Sequence, residues 1–327
     1  MIKLEILKAL REAGDAYVSG QDICNQLGVS RTAVWKAVKQ LEKEGYKIQA
    51  VQNRGYRLEA APDSVGVNEL TSILRTRWLG KKIYYYDTID STNTEAKRLA
   101  EEGADHGTLI IANEQTGGRG RRGRGFQSKA GDGIFMTLLL KPELFPNKAS
   151  MLTLVAGLAV IKGLERATGV SCQIKWPNDV VIGGRKLVGV LTEMSAQVGY
   201  INYVVVGIGI NVKNKSFPDE LASVATSLYI ETKKNYRRAQ IIEAVMEEFE
   251  DYYERFVEAQ TMAPFIEEYN DHLVNRNKKV KVLDPEHSYE GIARGMNEAG
   301  ELLVETEQGM VSIASGEVSV RGVYGYV

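Results

Sequence analysis

Two adjacent glycines, Gly183 and Gly184, separate an apolar run at 180–182 from a longer one at 187–194. A Gly-Gly pair supplies the positive backbone angles that a two-residue turn demands, so the flanking runs read as antiparallel neighbours in a hairpin. A sheet containing that pair is at least partly antiparallel, which argues against a doubly wound parallel sheet and sets the class as α+β. Further strand-like runs stand at 83–86, 108–113, 134–140, 172–175 and 203–208, and helical periodicity predicts helices at 94–102, 149–168 and 239–269. Beyond residue 277, apolar segments at 280–282, 291–293, 301–305, 309–313 and 317–320 alternate with Gly and Asn turns. That pattern predicts a small β-barrel.

The first sixty residues follow another rule. Ile2, Leu4, Ile6, Leu7 and Leu10 form a helical stripe that Gly14 ends. Ser19 caps a short helix carrying Ile23 and Leu27, Gly28 makes a tight turn, and Ser30 caps a longer helix running to about Gly45. Two helices joined by a Gly turn predict a helix-turn-helix. Val34, Val38 and Leu41 face inward, which leaves Ser30, Arg31, Thr32, Trp35, Lys36 and Lys39 to contact DNA. The runs at 46–51 and 56–58 flank an Arg54-bearing tip and read as a wing. Residues 1–60 hold ten Lys and Arg against seven Asp and Glu, a mild excess that a solvated helix face would also show. The Pro-containing stretch 59–63 reads as a linker, giving domains at 1–63, 64–276 and 277–327.

Charge bounds the whole molecule. Forty-one Lys and Arg against 42 Asp and Glu leave a net charge of −1, so attraction to nucleic acid has to come from a local patch. Cys24 and Cys172 are too far apart in sequence to suggest a disulfide framework, and His106, His272 and His287 lack metal-ligand spacing. No stretch approaches 18 consecutive apolar residues and no export signal opens the chain, so the expected compartment is the cytoplasm, with no membrane partner.

The segment 115–125 cannot pack a core. Its glycines let backbone approach a ligand closely, and Arg119, Arg121, Arg122 and Arg124 offer guanidinium forks suited to phosphate or carboxylate. It lacks the spacing of a P-loop or a dinucleotide turn, and an Arg-Gly loop can also bind nucleic acid nonspecifically. Lys175-Trp176-Pro177-Asn178-Asp179 follows a strand, and Arg185-Lys186-Leu187-Val188-Gly189 opens the next after the Gly-Gly turn. Alone, Trp176 and Pro177 read as a packing corner and Lys186 as a solvent-facing hairpin lysine.

Together with Ser91-Thr92-Asn93 and Gly207-Ile208-Gly209-Ile210-Asn211, these motifs resemble the biotin protein ligase family. With a winged helix ahead of them, they resemble its bifunctional, operon-repressing kind. The resemblance spans essentially the whole chain and implies a class II synthetase-like ligase domain and a C-terminal SH3-like barrel. It implies attack of biotin on ATP to give biotinoyl-5'-AMP, then transfer to a lysine of the biotin carboxyl carrier protein. It further implies Mg²⁺ with the ATP, biotinoyl-5'-AMP as corepressor, an adenylate-bound homodimer and operator DNA.

By the same resemblance, Ser91, Thr92, Asn93, Gln115, Arg119, Gly120, Arg121 and Lys186 would hold biotin. Arg121, Arg122, Asn178, Lys186, Asn211 and Phe126 would hold the nucleotide and Asp179 the Mg²⁺, while Lys186, Arg119 and Arg121 would be catalytic. The chain departs from the family pattern at Phe126, where many relatives carry Trp.

Overall fold

A computed structural model of the chain describes residues 2–123, 125–283, 288–315, 319–322 and 326–327. Arg124, His287 and part of the strand expected at 317–320 lie outside the described residues. The N-terminal unit contains helices α1 (Ile2–Glu12), α2 (Gly20–Leu27) and α3 (Arg31–Lys43), then strands β1 (Lys47–Val51) and β2 (Gly55–Ala60). Ser19 Oγ accepts from the Gln21 amide and Ser30 Oγ from the Ala33 amide, each satisfying a donor that a helix start leaves unpaired. Gly28 ends α2 at φ 63°, left-handed backbone in which a side chain would be strained. Ile6, Leu7, Leu10, Ile23, Val34, Val38 and Leu41 fill a core of their own, and β1 and β2 pair antiparallel as a wing.

Helix α4 (Val67–Ile73) leads into strand β3 (Ile83–Ile89), helix α5 (Thr92–Glu101), strands β4 (Thr108–Gln115) and β5 (Gly133–Leu140), and helix α6 (Leu152–Thr168). Strands β6 (Gln173–Lys175), β7 (Asp179–Ile182), β8 (Arg185–Gln197) and β9 (Tyr200–Asn211) complete a seven-stranded sheet ordered β3-β4-β5-β9-β8-β7-β6. Only β3 and β4 run parallel; every other neighbouring pair is antiparallel, and β7 turns into β8 through Gly183-Gly184. The two faces follow from strand alternation. Ile110, Leu139 and Val205 meet α5, whereas Leu109, Ile111, Leu138, Val204 and Val206 enter the main core with α6.

Helix α7 (Asp219–Ala222), helix α8 (Leu228–Thr232), helix α9 (Arg238–Ala259) and helix α10 (Ile266–His272) follow. The single helix expected over 239–269 is therefore two. Gln260 turns left-handed at φ 52°, and Pro264 within Ala263–Phe265 has no amide to continue the ladder. Helix α6 packs along α9 so closely that a Cβ on Gly163 would lie 2.6 Å from the Val245 backbone. With its preceding turn, Pro146–Thr168 is long and apolar enough on average to cross a membrane, although it holds no run of 18 consecutive apolar residues. However, 78% of its apolar window is buried inside this protein, as suits a core helix.

Strands β10 (Lys279–Leu283), β11 (Tyr289–Met296), β12 (Leu302–Thr306), β13 (Gly309–Ile313) and β14 (Ser319–Gly322) form an antiparallel sheet ordered β13-β12-β11-β10-β14. Among the described residues β13 and β14 are unpaired edges, so the expected barrel is seen as an open sheet. It does not stand apart: Val280, Val282, Met296, Leu302 and Val304 share one core with α6 and α9. Trp176 Nε1 donates to the Gly300 carbonyl at 3.1 Å, so this sheet fixes the Lys-Trp-Pro-Asn-Asp corner.

One carboxylate joins the winged helix to the rest. Glu69, on α4, has no exposed side-chain surface. It accepts from Arg11 at 2.7 Å, from Tyr46 at 2.7 Å and from Arg237, ahead of α9, at 2.6 Å. Asp63 in the linker accepts from Arg238 at 3.0 Å and pairs with Lys213, just past β9.

Candidate active site

Strand β4 ends at Gln115 and α5 begins beside it, which brings the Ser91-Thr92-Asn93 triplet under the glycine-arginine loop. Gln115 Oε1 accepts from the Thr92 amide at 2.8 Å, and Gln115 Nε2 donates to Ser128 Oγ at 2.9 Å. Asn93 Oδ1 accepts from Thr137 Oγ1 at 2.7 Å, and its Nδ2 donates to Glu193 Oε2 at 2.8 Å. Opposite lie the glycines of β8 and β9, present because side chains occupy the space a Cβ would need. On Gly207 it would be 2.1 Å from Asn93 Oδ1, on Gly209 2.6 Å from the Phe126 ring, and on Gly189 2.9 Å from Lys186 Nζ.

These residues line a small cavity: Ser91, Thr92, Asn93, Gln115, Arg119 and Gly120, with Phe126, Phe135 and Gly207 among its walls. A larger one beside it holds Arg121, Arg122, Lys175, Trp176, Asp179 and Asn211, together with Phe217, Arg321 and Tyr326. Gly120, Phe126, Asn178 and Lys186 belong to both. Lys186 is therefore a junction residue, and the isolated reading of it as a solvent-facing hairpin lysine is corrected. Its backbone is clamped by an amide bond to Val224 O at 2.7 Å and a carbonyl bond from Thr226 N at 2.8 Å.

The electrostatics are those of an anion site. Lys186 Nζ lies 2.5 Å from Asp179 Oδ1, Tyr326 donates to Asp179 Oδ2, and Lys175 sits 4.1 Å over the Tyr326 ring. Burial pushes the Asp179 carboxyl up, but the Lys186 and Lys175 charges outweigh it and hold the group below the usual carboxylate range. Burial pulls the Arg121 guanidinium below its ordinary value against the attraction of Asp179, and Arg121 donates to Asn178 Oδ1 at 3.2 Å. Arg119 and Arg122 are exposed, and Arg122 takes a left-handed φ of 57°. Such a conformation costs a non-glycine residue roughly 1 kcal/mol and is seldom kept without a reason.

All the residues expected to hold biotin or nucleotide line one or the other cavity. Sequence reasoning missed Glu193 and Thr137, which orient Asn93, and Phe217, Arg321 and Tyr326, which close the larger cavity. Tyr326 meets Asp179 across 147 residues, and no local pattern carries such a contact. On the winged helix, Ser30, Arg31, Thr32, Trp35, Lys36, Lys39 and Arg54 are all exposed, Trp35 at 53%. Arg31 donates to Gln21, and Arg54 stacks over Tyr17 at 4.4 Å. A groove between α2, α3 and the wing is lined by Ser19, Gln21, Arg31 and Arg54.

A mixed sheet bearing two joined, cation-lined cavities behind a winged helix is the arrangement of a class of ligase that carries its own helix-turn-helix. Residues 85–211 match the Biotin/lipoate A/B protein ligase family, residues 3–57 an HTH domain, and residues 277–321 the Biotin protein ligase C terminal domain. The chain belongs to the biotin protein ligase family. It is similar to the bifunctional ligase/repressor BirA of Bacillus spizizenii, 38% identical over 321 residues that cover 98% of each chain. The Escherichia coli protein of that name is 28% identical over 94% of each. Among solved structures, the Aquifex aeolicus biotin protein ligase in complex with biotin and ATP is 35% identical with a TM-score of 0.67. That match covers 74% of this chain and 99% of the other.

Proposed function

We propose that this protein is a biotin protein ligase that activates biotin with ATP, transfers it to a lysine of a carrier protein, and also represses transcription through its winged helix. The observation that carries the ligase reading is the placement of Lys186 on the wall shared by both cavities. Biotin belongs in the smaller cavity, its ureido ring facing Ser91, Thr92, Asn93 and Gln115; ATP belongs in the larger, with Asn178, Asn211 and Phe126 toward the nucleoside. Similarity to a ligase solved with biotin and ATP supports both substrates.

In this reading a biotin carboxylate oxygen attacks the α-phosphorus, the bond to the β-phosphate oxygen breaks, and pyrophosphate leaves with the electron pair. Charge gathers on the α-phosphoryl oxygens beside Lys186, Arg119 and Arg121. Cations already fixed there stabilise that state more than the ground state. Mg²⁺ fits as a companion of the triphosphate, where it would neutralise phosphate charge. Among the described residues Asp179 is the one acid lining either cavity, and Mg²⁺ commonly takes one or two carboxylates with phosphates completing its shell. Among the described residues no group of three His, Cys, Asp or Glu could hold a metal unaided.

The same reading keeps the divisions 1–63, 64–276 and 277–327. It makes biotinoyl-5'-AMP the corepressor, a homodimer the operator-binding form, and the cytoplasm the compartment. Lys186→Ala should keep the fold and lose about 10²- to 10³-fold in biotin-dependent pyrophosphate exchange, the usual effect of removing one fixed charge-stabilising donor. Exchange at the parent rate would overturn the role of Lys186.

A further inference from the structure

The C-terminal sheet reaches into the nucleotide cavity through a residue that no motif marks. Beyond β14, Tyr326 lines that cavity beside Lys175, Asp179 and Lys186. Its seat is close-packed. A Cβ on Gly322 would lie 1.9 Å from the Val327 backbone oxygen, and one on Gly184 would lie 3.0 Å from the Val327 side chain. Val327 is thus wedged between β14 and the Gly183-Gly184 turn, and the wedge brings the neighbouring phenol against β7.

There Tyr326 meets two partners at once. Its hydroxyl donates to Asp179 Oδ2, and its ring lies 4.1 Å from the Lys175 ammonium. Asp179 Oδ1 faces the Lys186 ammonium at 2.5 Å. Lys175 and Asp179 are both buried, so these contacts form where water screens them little. A buried carboxylate turns toward the donors around it, because a lone pair left without one is costly there. With the phenol on Oδ2, the carboxylate is kept from swinging round to Lys175 and presents Oδ1 to Lys186. The backbone of Lys186 is clamped by Val224 and Thr226, but the length of the side chain separates that clamp from the ammonium. Asp179 therefore steers Lys186 Nζ, and Tyr326 steers Asp179.

We propose that Tyr326 is a positioning residue of the adenylation site. Its hydroxyl fixes Asp179 and, through it, the aim of Lys186 at the α-phosphate, while its ring holds Lys175 toward the triphosphate. The proposal rests on the ligase reading above.

The two halves of the side chain then have separable effects. Lys186 acts where charge builds in the transition state, so losing its aim lowers kcat. Lys175 attracts triphosphate charge before and during the reaction alike, so losing the ring raises the KM for ATP. Tyr326 does not line the biotin cavity, which makes biotin affinity an internal control.

The full-length protein is compared with Tyr326→Phe, which removes the hydroxyl and keeps the ring, and with Tyr326→Leu, which removes both. Biotin-dependent pyrophosphate exchange gives kcat and the KM for ATP, and calorimetry with biotin alone gives the biotin affinity. Tyr326→Phe should lose about tenfold in kcat, the scale of a hydrogen bond to a charged group, with the KM for ATP and the biotin affinity at parent values. Tyr326→Leu should add to that loss a KM for ATP raised about fivefold, the scale of a desolvated cation–π contact.

Parent kcat in Tyr326→Phe overturns the proposal. So does a loss of biotin affinity in that variant matching its loss of kcat, the mark of a general structural defect. An equal KM for ATP in the two variants overturns the role given to the ring. The Phe variant removes a single oxygen, so the role of the hydroxyl is decided even if the Leu variant fails to fold. Absence of exchange in the parent would overturn the ligase reading itself, whereas parent exchange left unchanged by Tyr326→Phe sinks the positioning role alone.

Discussion

At the scale of single residues, the site is organised by carboxylates that neutral sequence counting conceals. Asp179 holds Lys186 in place, and Asp63 does the same for Arg238 and Lys213 at the linker. Burial raises the Asp63 carboxyl, but the Lys213 and Arg238 partners bring it below the ordinary carboxylate value. A depressed folded pKa adds stability that is complete above the unfolded value, about 4, and is lost as pH falls through the folded one. Asp63→Asn should therefore lower stability at neutral pH and flatten the decline on the acid side. Urea midpoints measured from pH 7 to pH 3 check this, and parallel acid limbs in parent and variant would count against it.

At the scale of elements, close approach is the governing constraint, and β9 shows it. Asn93 cannot swing aside for a Cβ on Gly207, because Thr137, the Leu191 carbonyl and Glu193 hold it from three directions. Gly207→Ala should destabilise by about 1–3 kcal/mol, as overpacking does, and raise the KM for biotin more than that for ATP. Thermal melts and exchange kinetics report the two effects separately.

Much of this scale was legible in the sequence. Caps at Ser19 and Ser30, the Gly-Gly hairpin and the apolar strands are local signals, and each emerged where its chemistry placed it. The break after α9 and the short helices α7 and α8 were not legible, since the apolar period continues across Gln260 and four- or five-residue helices carry almost no period. In the site, the biotin and nucleotide candidates stood out by motif. Glu193 and Tyr326 did not, because their roles arise from strand register and from contacts over long sequence separation.

At the scale of the whole molecule, the winged helix and the ligase body have separate cores yet are clasped at Glu69. Glu69→Gln leaves Arg11 and Arg237 facing a neutral amide, at a cost on the order of 3 kcal/mol for a broken buried pair. The expected result is faster proteolytic cleavage near residues 60–66 and weaker DNA binding, with pyrophosphate exchange preserved. Equal cleavage rates for parent and variant would argue that the clasp is incidental. If the clasp holds, the DNA-reading helix is a fixed arm rather than a tethered one. In the homodimer proposed above, two such arms would act as a caliper, its jaw width set far from the duplex and matched to a single distance between half-sites.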